Sequence, residues 1–265
     1  MDRLTWLRSF LALAIFLAVA RCSPAQTSVR VVQVYVALAD NQHQGIVPVP
    51  AKLGDGDAPA SNLYWGAAFG VKTYFRGSRD WELVYAKPGP TSSILERCVF
   101  RYRTRAIYLV ADAYRGSEIR QALTDFLSAA AGLHGESLSL TNNRSTLVLT
   151  IGGGADLVAY VGHDAFMDFQ IEPIHGTRGK PSRPVIVLAC DSKHFFAPYL
   201  KEAGASPLLW TTGLMAPEAY TLKAAIDGWI ADEDGESIRS HAAEAYNKYQ
   251  HCGSLAALHL FATGW

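Results

Sequence analysis

A histidine and a cysteine each follow an apolar segment of this chain. Their side chains are an imidazole and a thiol, the base and the nucleophile of many thiol enzymes. The segment LVAYVG at residues 157–162 leads into His163, and the segment VIVLA at residues 185–189 leads into Cys190. A thiol becomes a useful nucleophile when a nearby imidazole takes its proton or stabilises the thiolate. We therefore predict that Cys190 is a nucleophile and His163 its base, with a thiol pKa below the ordinary value of about 8.5. The alternative is a structural histidine and a cysteine that packs as a small apolar residue.

The rest of the chain predicts the elements that position this pair. Continuous apolar segments alternate with amphipathic helical segments, which is typical of a mostly parallel sheet with helices on both faces. Strands are expected at residues 31–38, 107–112, 147–151, 157–162, 185–189 and 208–211. Helices are expected at residues 117–131, 193–202, 217–230 and 236–250, the first of them with Ser117 as its N-cap.

In a sheet of this kind the ligand site lies beyond the carboxyl ends of the strands. Polar residues that follow predicted strands are therefore candidates for the same site as His163 and Cys190. They are Asp40, Asn41, Asp112 and Thr212. Trp210, just before Thr212, is interpreted either as the wall of a specificity pocket or as a core residue. The helix that begins after Cys190 would direct its N-terminal amides at the thiol.

The two segment ends resemble a known motif pair. Four or more apolar residues before a histidine, and four before Ala-Cys, characterise the caspase, legumain, clostripain, gingipain and separase group of cysteine peptidases. The match covers residues 157–164 and 185–190 closely, and Asp40-Asn41 after the first strand is similar to the start of the clostripain branch. The resemblance implies a caspase-like three-layer sandwich and a Cys190–His163 dyad that attacks a peptide bond through an acyl-thioester.

The same resemblance implies an oxyanion hole beside Gly162, formed by the backbone amide of Cys190 and the amide of the residue after His163. The family usually has glycine after the histidine, whereas this chain has Asp164. A carboxylate beside a developing oxyanion is unfavourable. A non-catalytic protein of the same fold that binds a peptide or protein partner is therefore the alternative function.

The N-terminal residues have the pattern of a signal peptide. Arg3 and Arg8 precede an apolar run at residues 10–20, and small residues surround a cleavage position after Ala25. The apolar run is shorter than the roughly 20 residues of a membrane span, which is the alternative interpretation. Cys22 suggests a lipoprotein, but Arg21 occupies the position at which lipidation signals have a small residue. We expect residues 1–25 to be removed and the protein to be periplasmic or secreted.

We expect residues 26–265 to form one domain with an irregular, loop-rich insertion at residues 43–100, in which residues 71–75 and 81–86 are short strands or a hairpin around residues 76–78. Without Cys22 the chain has Cys98, Cys190 and Cys252. In an oxidising compartment this odd count predicts one disulfide and one free thiol. We expect a Cys98–Cys252 bridge and a free Cys190, with three reduced thiols as the alternative.

Composition excludes several classes of function. The chain has 24 Lys and Arg residues and 24 Asp and Glu residues, so no net field recruits nucleic acid or an anionic membrane. The triple glycine at residues 152–154 precedes a strand, whereas a phosphate loop follows one. The spacing of His163, Asp164, Asp168 and His175 fits no closed zinc pattern. We therefore predict no metal, no cofactor and no membrane span after signal cleavage, and a peptide or protein as the partner.

Overall fold

A computed structural model describes residues 28–141, 145–177 and 182–265, so the predicted signal segment lies outside the described residues. The chain forms an eight-stranded sheet with the spatial order β10-β9-β8-β7-β1-β4-β3-β2 and a separate two-stranded sheet of β5 and β6. The strands are β1 (Arg30–Ala37), β2 (Trp81–Pro88), β3 (Ile94–Tyr102), β4 (Ile107–Tyr114), β5 (Gly135–Thr141), β6 (Thr146–Gly152), β7 (Leu157–Val161), β8 (Pro184–Leu188), β9 (Ser206–Thr211) and β10 (Phe261–Ala262).

Helices cover both faces of the large sheet. They are α1 (Val71–Gly77), α2 (Ile119–Ala130), α3 (Ser192–Ala203), α4 (Ala219–Ile230), α5 (Gly235–Gln250) and α6 (Ser254–Leu260). One apolar core lies between the sheet and α1, α4 and α5, and a second lies between the sheet and α2 and α3. The five strands from β9 to β4 are parallel, whereas β10 at one end of the sheet and β3 and β2 at the other pair antiparallel with their neighbours. The predicted α/β three-layer architecture is confirmed.

The central strands are apolar on both faces because each face is covered by helices. In β1, Val32, Val34 and Val36 enter the first core, whereas Val31 and Tyr35 enter the second. A buried side chain of this size contributes about 1.5–3 kcal/mol relative to an exposed one. The alternation therefore fixes the register of β1 against β4 and β7, since a slip of one residue would exchange the two faces.

The region predicted as an irregular insertion is partly regular. Residues 43–70 consist of turns, but Val71–Gly77 is a helix, where a strand or hairpin was expected. Val71 and Phe75 are four residues apart and fully buried, and the Phe75 ring packs 5.5 Å from that of Trp81. This i,i+4 burial favours the helix. The strand expected at residues 81–86 is present as β2. It forms a hairpin with β3, and the two strands extend the large sheet.

Two further boundaries differ from the sequence prediction. Ser117 does not cap α2, because Gly116–Glu118 forms a turn of 3-10 helix and α2 begins at Ile119. The strand predicted at residues 147–151 is present as β6, but it pairs with β5 outside the large sheet. In the described part of the chain, no helix is both long enough and apolar enough to cross a membrane.

The predicted disulfide is wrong, because the three cysteines among the described residues, Cys98, Cys190 and Cys252, are all free thiols. Cys98 is fully buried within β3, at the centre of the antiparallel edge, whereas Cys252 is exposed beyond the end of α5. The two residues therefore lie in different surroundings, and the interior position of Cys98 leaves its sulfur to pack as a small apolar group.

Candidate cysteine–histidine site

The residues predicted as a dyad follow the ends of two neighbouring parallel strands. β7 and β8 are parallel, and Val161 is paired with Leu188 at the end of the ladder. His163 and Cys190 each follow two residues later. The backbone N–H of Gly162 donates to the Leu188 carbonyl at 3.2 Å and holds the two strand ends together. The predicted proximity of the two strand ends is confirmed.

His163 is oriented by a carboxylate that sequence reasoning had considered only as a metal ligand. The ring is nearly buried, and its Nε2 lies 2.6 Å from Oδ2 of Asp168. Asp168 follows a short 3-10 turn and also accepts the N–H of Gly45 at 3.4 Å. The Nδ1 atom of His163 has no hydrogen-bond partner among the described residues. The ring is therefore positioned with one nitrogen left to accept a proton.

The Cys190 thiol is occupied by the backbone of Met215. Its Sγ accepts the Met215 N–H at 3.4 Å, and its S–H donates to the Met215 carbonyl at 3.6 Å. Burial raises the pKa of Cys190, the Met215 amide opposes this effect, and the charges of Asp164 and Asp191 add to it. The predicted depression of the thiol pKa is therefore wrong in this conformation. Nor does a hydrogen bond join the sulfur to the His163 ring within the described ranges.

A buried hydroxyl pair fixes the turn that carries Cys190. The Ser192 N–H donates to Thr211 Oγ1 at 3.1 Å, and the Thr211 N–H donates to Ser192 Oγ at 2.9 Å. Thr211 Oγ1 also donates to the Ala189 carbonyl, and both hydroxyl side chains are fully buried. Asp191, between Cys190 and α3, has a left-handed backbone with φ 43°, which costs a non-glycine residue energy. The network holds this strained turn against β9.

Asp164 is buried and serves a local structural role. Its Oδ1 accepts the N–H of Phe166 at 3.0 Å and caps the 3-10 turn Ala165–Met167, whereas Oδ2 has no partner among the described side chains and backbone. Burial raises the pKa of Asp164 to about 7. Near neutral pH the carboxyl is therefore partly protonated, which weakens the unfavourable charge that the sequence predicts beside an oxyanion.

The backbone amides that the family resemblance assigns to an oxyanion hole remain available. Neither the N–H of Asp164 nor that of Cys190 donates a hydrogen bond to another described residue. They belong to Cys190 itself and to the residue after His163, each just beyond the end of one of two neighbouring strands. Two free donors in such a position can stabilise negative charge on a carbonyl oxygen.

Asp40 and Asn41 build the loop after β1. Asp40 Oδ1 accepts the N–H groups of Gln42 and His43 at 2.9 and 3.1 Å. Asn41 exchanges two hydrogen bonds with the backbone of Val49, at 2.8 and 3.0 Å. Their polar atoms are therefore used in shaping the loop, and no contact connects them with the thiol or the imidazole within the described residues.

Three other candidates do not join the site. Asp112 was expected at a strand end, but β4 continues to Tyr114 and Asp112 lies inside the sheet, ion-paired with Arg97. Trp210 is a core residue rather than a pocket wall, because it is 1% exposed and belongs to the core beneath α2 and α3, whereas Met215 belongs to the opposite core. Thr212 donates its hydroxyl to the His259 carbonyl at 2.7 Å and so fastens β9 to the C-terminal segment.

The fold and the site together define an α/β protein with a mostly parallel sheet and a cysteine and a histidine on adjacent strand ends. Comparison of the chain with family models, with curated proteins and with solved structures finds no match. Within the described residues, no group of three or more His, Cys, Asp or Glu side chains is arranged to hold a metal ion.

Proposed function

We propose that the protein is an exported, peptidase-like thiol hydrolase in which Cys190 attacks a peptide bond and His163 is the general base. The observation that carries the proposal is that His163 and Cys190 each stand two positions beyond Val161 and Leu188, the last paired residues of the neighbouring strands β7 and β8. The Asp168 contact supports the role of His163, because it orients the ring and leaves Nδ1 without a partner in the described chain. General bases are commonly oriented by a third group in this way.

The raised thiol pKa defines the mechanism. Because burial keeps Cys190 protonated at neutral pH, His163 Nδ1 takes the proton as the sulfur–carbon bond forms. The N–H groups of Cys190 and Asp164 stabilise the negative carbonyl oxygen. The carbon–nitrogen bond then breaks, and His163 returns the proton to the leaving amine, which leaves an acyl-thioester. Water, deprotonated by His163, attacks the thioester, and the acid and the thiol are released.

Met215 controls access to this reaction. The Cys190 S–H donates to the Met215 carbonyl, so the thiol must leave that contact before it transfers its proton to the imidazole. A substrate strand that contacts residues 213–216 would supply the change. We therefore expect the thiol to react faster with peptide-like electrophiles than with small ones of equal intrinsic reactivity.

The test is hydrolysis of a mixed peptide pool by the purified protein, followed by mass spectrometry. Cys190→Ala is expected to lower the rate at least about a thousandfold, because loss of a covalent nucleophile removes the route through the thioester. Cys252→Ala, which removes an exposed thiol, is the matched control and should retain the parent rate. Circular dichroism verifies that both variants fold. Turnover by Cys190→Ala at the parent rate would eliminate the dyad mechanism.

A non-catalytic peptide-binding protein is the second candidate. It is favoured by the two hydrogen bonds between Met215 and the thiol and by the carboxylates of Asp164 and Asp191, which raise the thiol pKa. In that case the parent protein and Cys190→Ala would capture the same peptides with equal Kd, and neither would cleave them. Cleavage by the parent protein alone decides for the hydrolase.

Export is proposed from the pattern of residues 1–25 alone. Expression of the full chain in a bacterium and N-terminal sequencing of the periplasmic product is expected to give a chain that starts at Gln26. Recovery of a membrane-bound chain that retains Met1 would contradict it.

A further inference from the structure

A second polar site lies on the opposite face of the sheet from Met215, beneath α2 and the β5–β6 hairpin. It is a cavity of about 420 Å³ whose floor includes Gln33 of β1, Arg97 of β3 and Asp112 of β4. Helices and hairpins that cover a sheet normally fill such a space with apolar side chains. Here the floor is polar, and the volume falls in the range of small-molecule pockets.

One buried atom of the floor has no partner. Gln33 is 1% exposed, and its Nε2 donates to Asp112 Oδ2 at 3.0 Å, but its Oε1 accepts no hydrogen bond from any described residue. The bond to Asp112 fixes the orientation of the amide, because the opposite orientation would place two oxygens together. A buried carbonyl oxygen without a donor is unfavourable by about 1–3 kcal/mol. Gln33 lines the cavity, so the unsatisfied acceptor belongs to a residue of its floor.

The charge of the wall indicates the sign of the ligand. Arg97 is committed to Asp112, with Nε–Oδ1 and Nη2–Oδ2 distances of 2.6 and 2.7 Å, so these two charges neutralise each other. The remaining groups of the wall are the carboxylates of Asp125 and Glu136 and the imidazole of His134, so acidic groups outnumber basic ones there. Asp125 accepts the hydroxyl of Tyr114 at 2.8 Å, which places an aromatic ring beside the carboxylate.

We propose that this cavity binds a small organic cation, a primary amine, whose ammonium donates to Gln33 Oε1 and is neutralised by Asp125 and Glu136. An ammonium has three donors and no acceptor, which suits a wall of acceptors. Tyr35 and Tyr114 also line the cavity, and aromatic rings attract cations. The site is independent of the Cys190–His163 pair, so the two proposals stand or fall separately.

The test is isothermal titration of the folded protein with three four-carbon probes that differ only in their ends: 1,4-diaminobutane, 1,4-butanediol and succinate. The diamine is expected to bind with a Kd below about 1 mM, and the diol and the diacid at least tenfold more weakly. Succinate binding as tightly as the diamine would overturn the proposal, because Arg97 would then be the recognition group. Absence of binding by the diamine would overturn it as well.

Variants locate the binding. Gln33→Leu removes the acceptor and is expected to weaken diamine binding at least about tenfold, since hydrogen bonds to charged groups are the stronger ones. Glu136→Gln, at an exposed position that does not endanger folding, is expected to weaken it about threefold. Glu118→Gln is the matched control and should have no effect. Cys190→Ala should also bind normally. If Glu136→Gln and Asp125→Asn both bind the diamine with the affinity of the parent protein, the assignment is refuted, even if Gln33→Leu fails to fold.

Discussion

Two pairs of polar residues are associated with the apolar sheet, and they differ in how many of their polar atoms are held in hydrogen bonds. At the ends of β7 and β8, His163 and Cys190 each bond to one neighbour, and His163 keeps one nitrogen unused within the described residues. In the middle of β3 and β4, Arg97 and Asp112 hold each other with two short hydrogen bonds. Charges inside a sheet need permanent partners, whereas groups at strand ends can exchange them. Reactivity is therefore expected at the carboxyl ends of β7 and β8, and structural stability together with static recognition within β3 and β4.

The largest effect is expected from breaking the central pair. Asp112→Ala leaves Arg97 buried without its counter-charge and is expected to destabilise the protein by about 3–5 kcal/mol, measured by urea unfolding. Glu82→Ala breaks the exposed pair with Arg101, at 2.8 Å, on the same antiparallel edge of the sheet, and serves as the control. Its urea midpoint should stay near that of the parent. Equal losses in the two variants would remove the distinction between centre and surface.

The next effect concerns the buried carboxyl of Asp164. Burial raises its pKa to about 7 in the folded protein, above about 3.9 in the unfolded chain. The folded state therefore binds more protons between these values, and its stability falls as pH rises from about 4 to about 7. Asp164→Asn is expected to stabilise the protein at pH 8 by up to about 4 kcal/mol and to change little at pH 4. Parallel stability curves for the two proteins would contradict the buried carboxyl.

Among the residues at the ends of β7 and β8, the contact between Asp168 and His163 is expected to affect hydrolysis most. Asp168→Asn is expected to lower kcat/KM for peptide hydrolysis about a hundredfold, because the His163 ring loses its orienting carboxylate. Glu202→Gln changes a similar but exposed contact, with His175 at 3.0 Å, and should leave hydrolysis unchanged. If both substitutions have the same small effect, the Asp168 contact does not orient a catalytic base.

The smallest effect is expected beneath the cysteine turn. Thr211→Val removes the hydroxyl that accepts from Ser192 and donates to Ala189, and is expected to cost about 1–3 kcal/mol in urea unfolding. Thr212→Val, one residue later, removes an exposed hydroxyl and should cost less. The reverse order would show that the network does not fix the turn.

Much of the parallel core was predictable from sequence because its strands are continuous apolar runs. The same runs predicted that His163 and Cys190 follow neighbouring strand ends, because the carboxyl ends of parallel strands lie on one side of the sheet. The helix at residues 71–77 was not predictable from alternation, because its buried pair is defined by tertiary contacts with Trp81. The role of Asp112 was missed for a related reason: a polar residue at the end of an apolar run resembles a strand end until its partner, Arg97 on an antiparallel strand, is known.

The partners of the site residues also depended on tertiary structure. Met215 lies 25 residues beyond Cys190 and contacts the thiol through its backbone. The type of its side chain therefore gives no signal of this contact in the sequence. Asp168 was easier to predict from the sequence, because it follows His163 by only five residues. A carboxylate so close to a histidine is a usable signal for an orienting contact. Ser192 follows β8 and Thr211 is the last residue of β9, and the pairing of β8 with β9 brings their hydroxyls together.

The most direct measurement is alkylation of the native protein by iodoacetamide, resolved by cysteine with mass spectrometry, in the parent and in His163→Ala. Cys98 is the internal reference for an inaccessible thiol, because burial raises its pKa to about 12. We expect Cys190 to be alkylated while the protein is folded, at a rate that rises with pH and that drops severalfold without His163. Labelling of Cys190 only after unfolding, together with Cys98, or at one rate in both proteins, would contradict it.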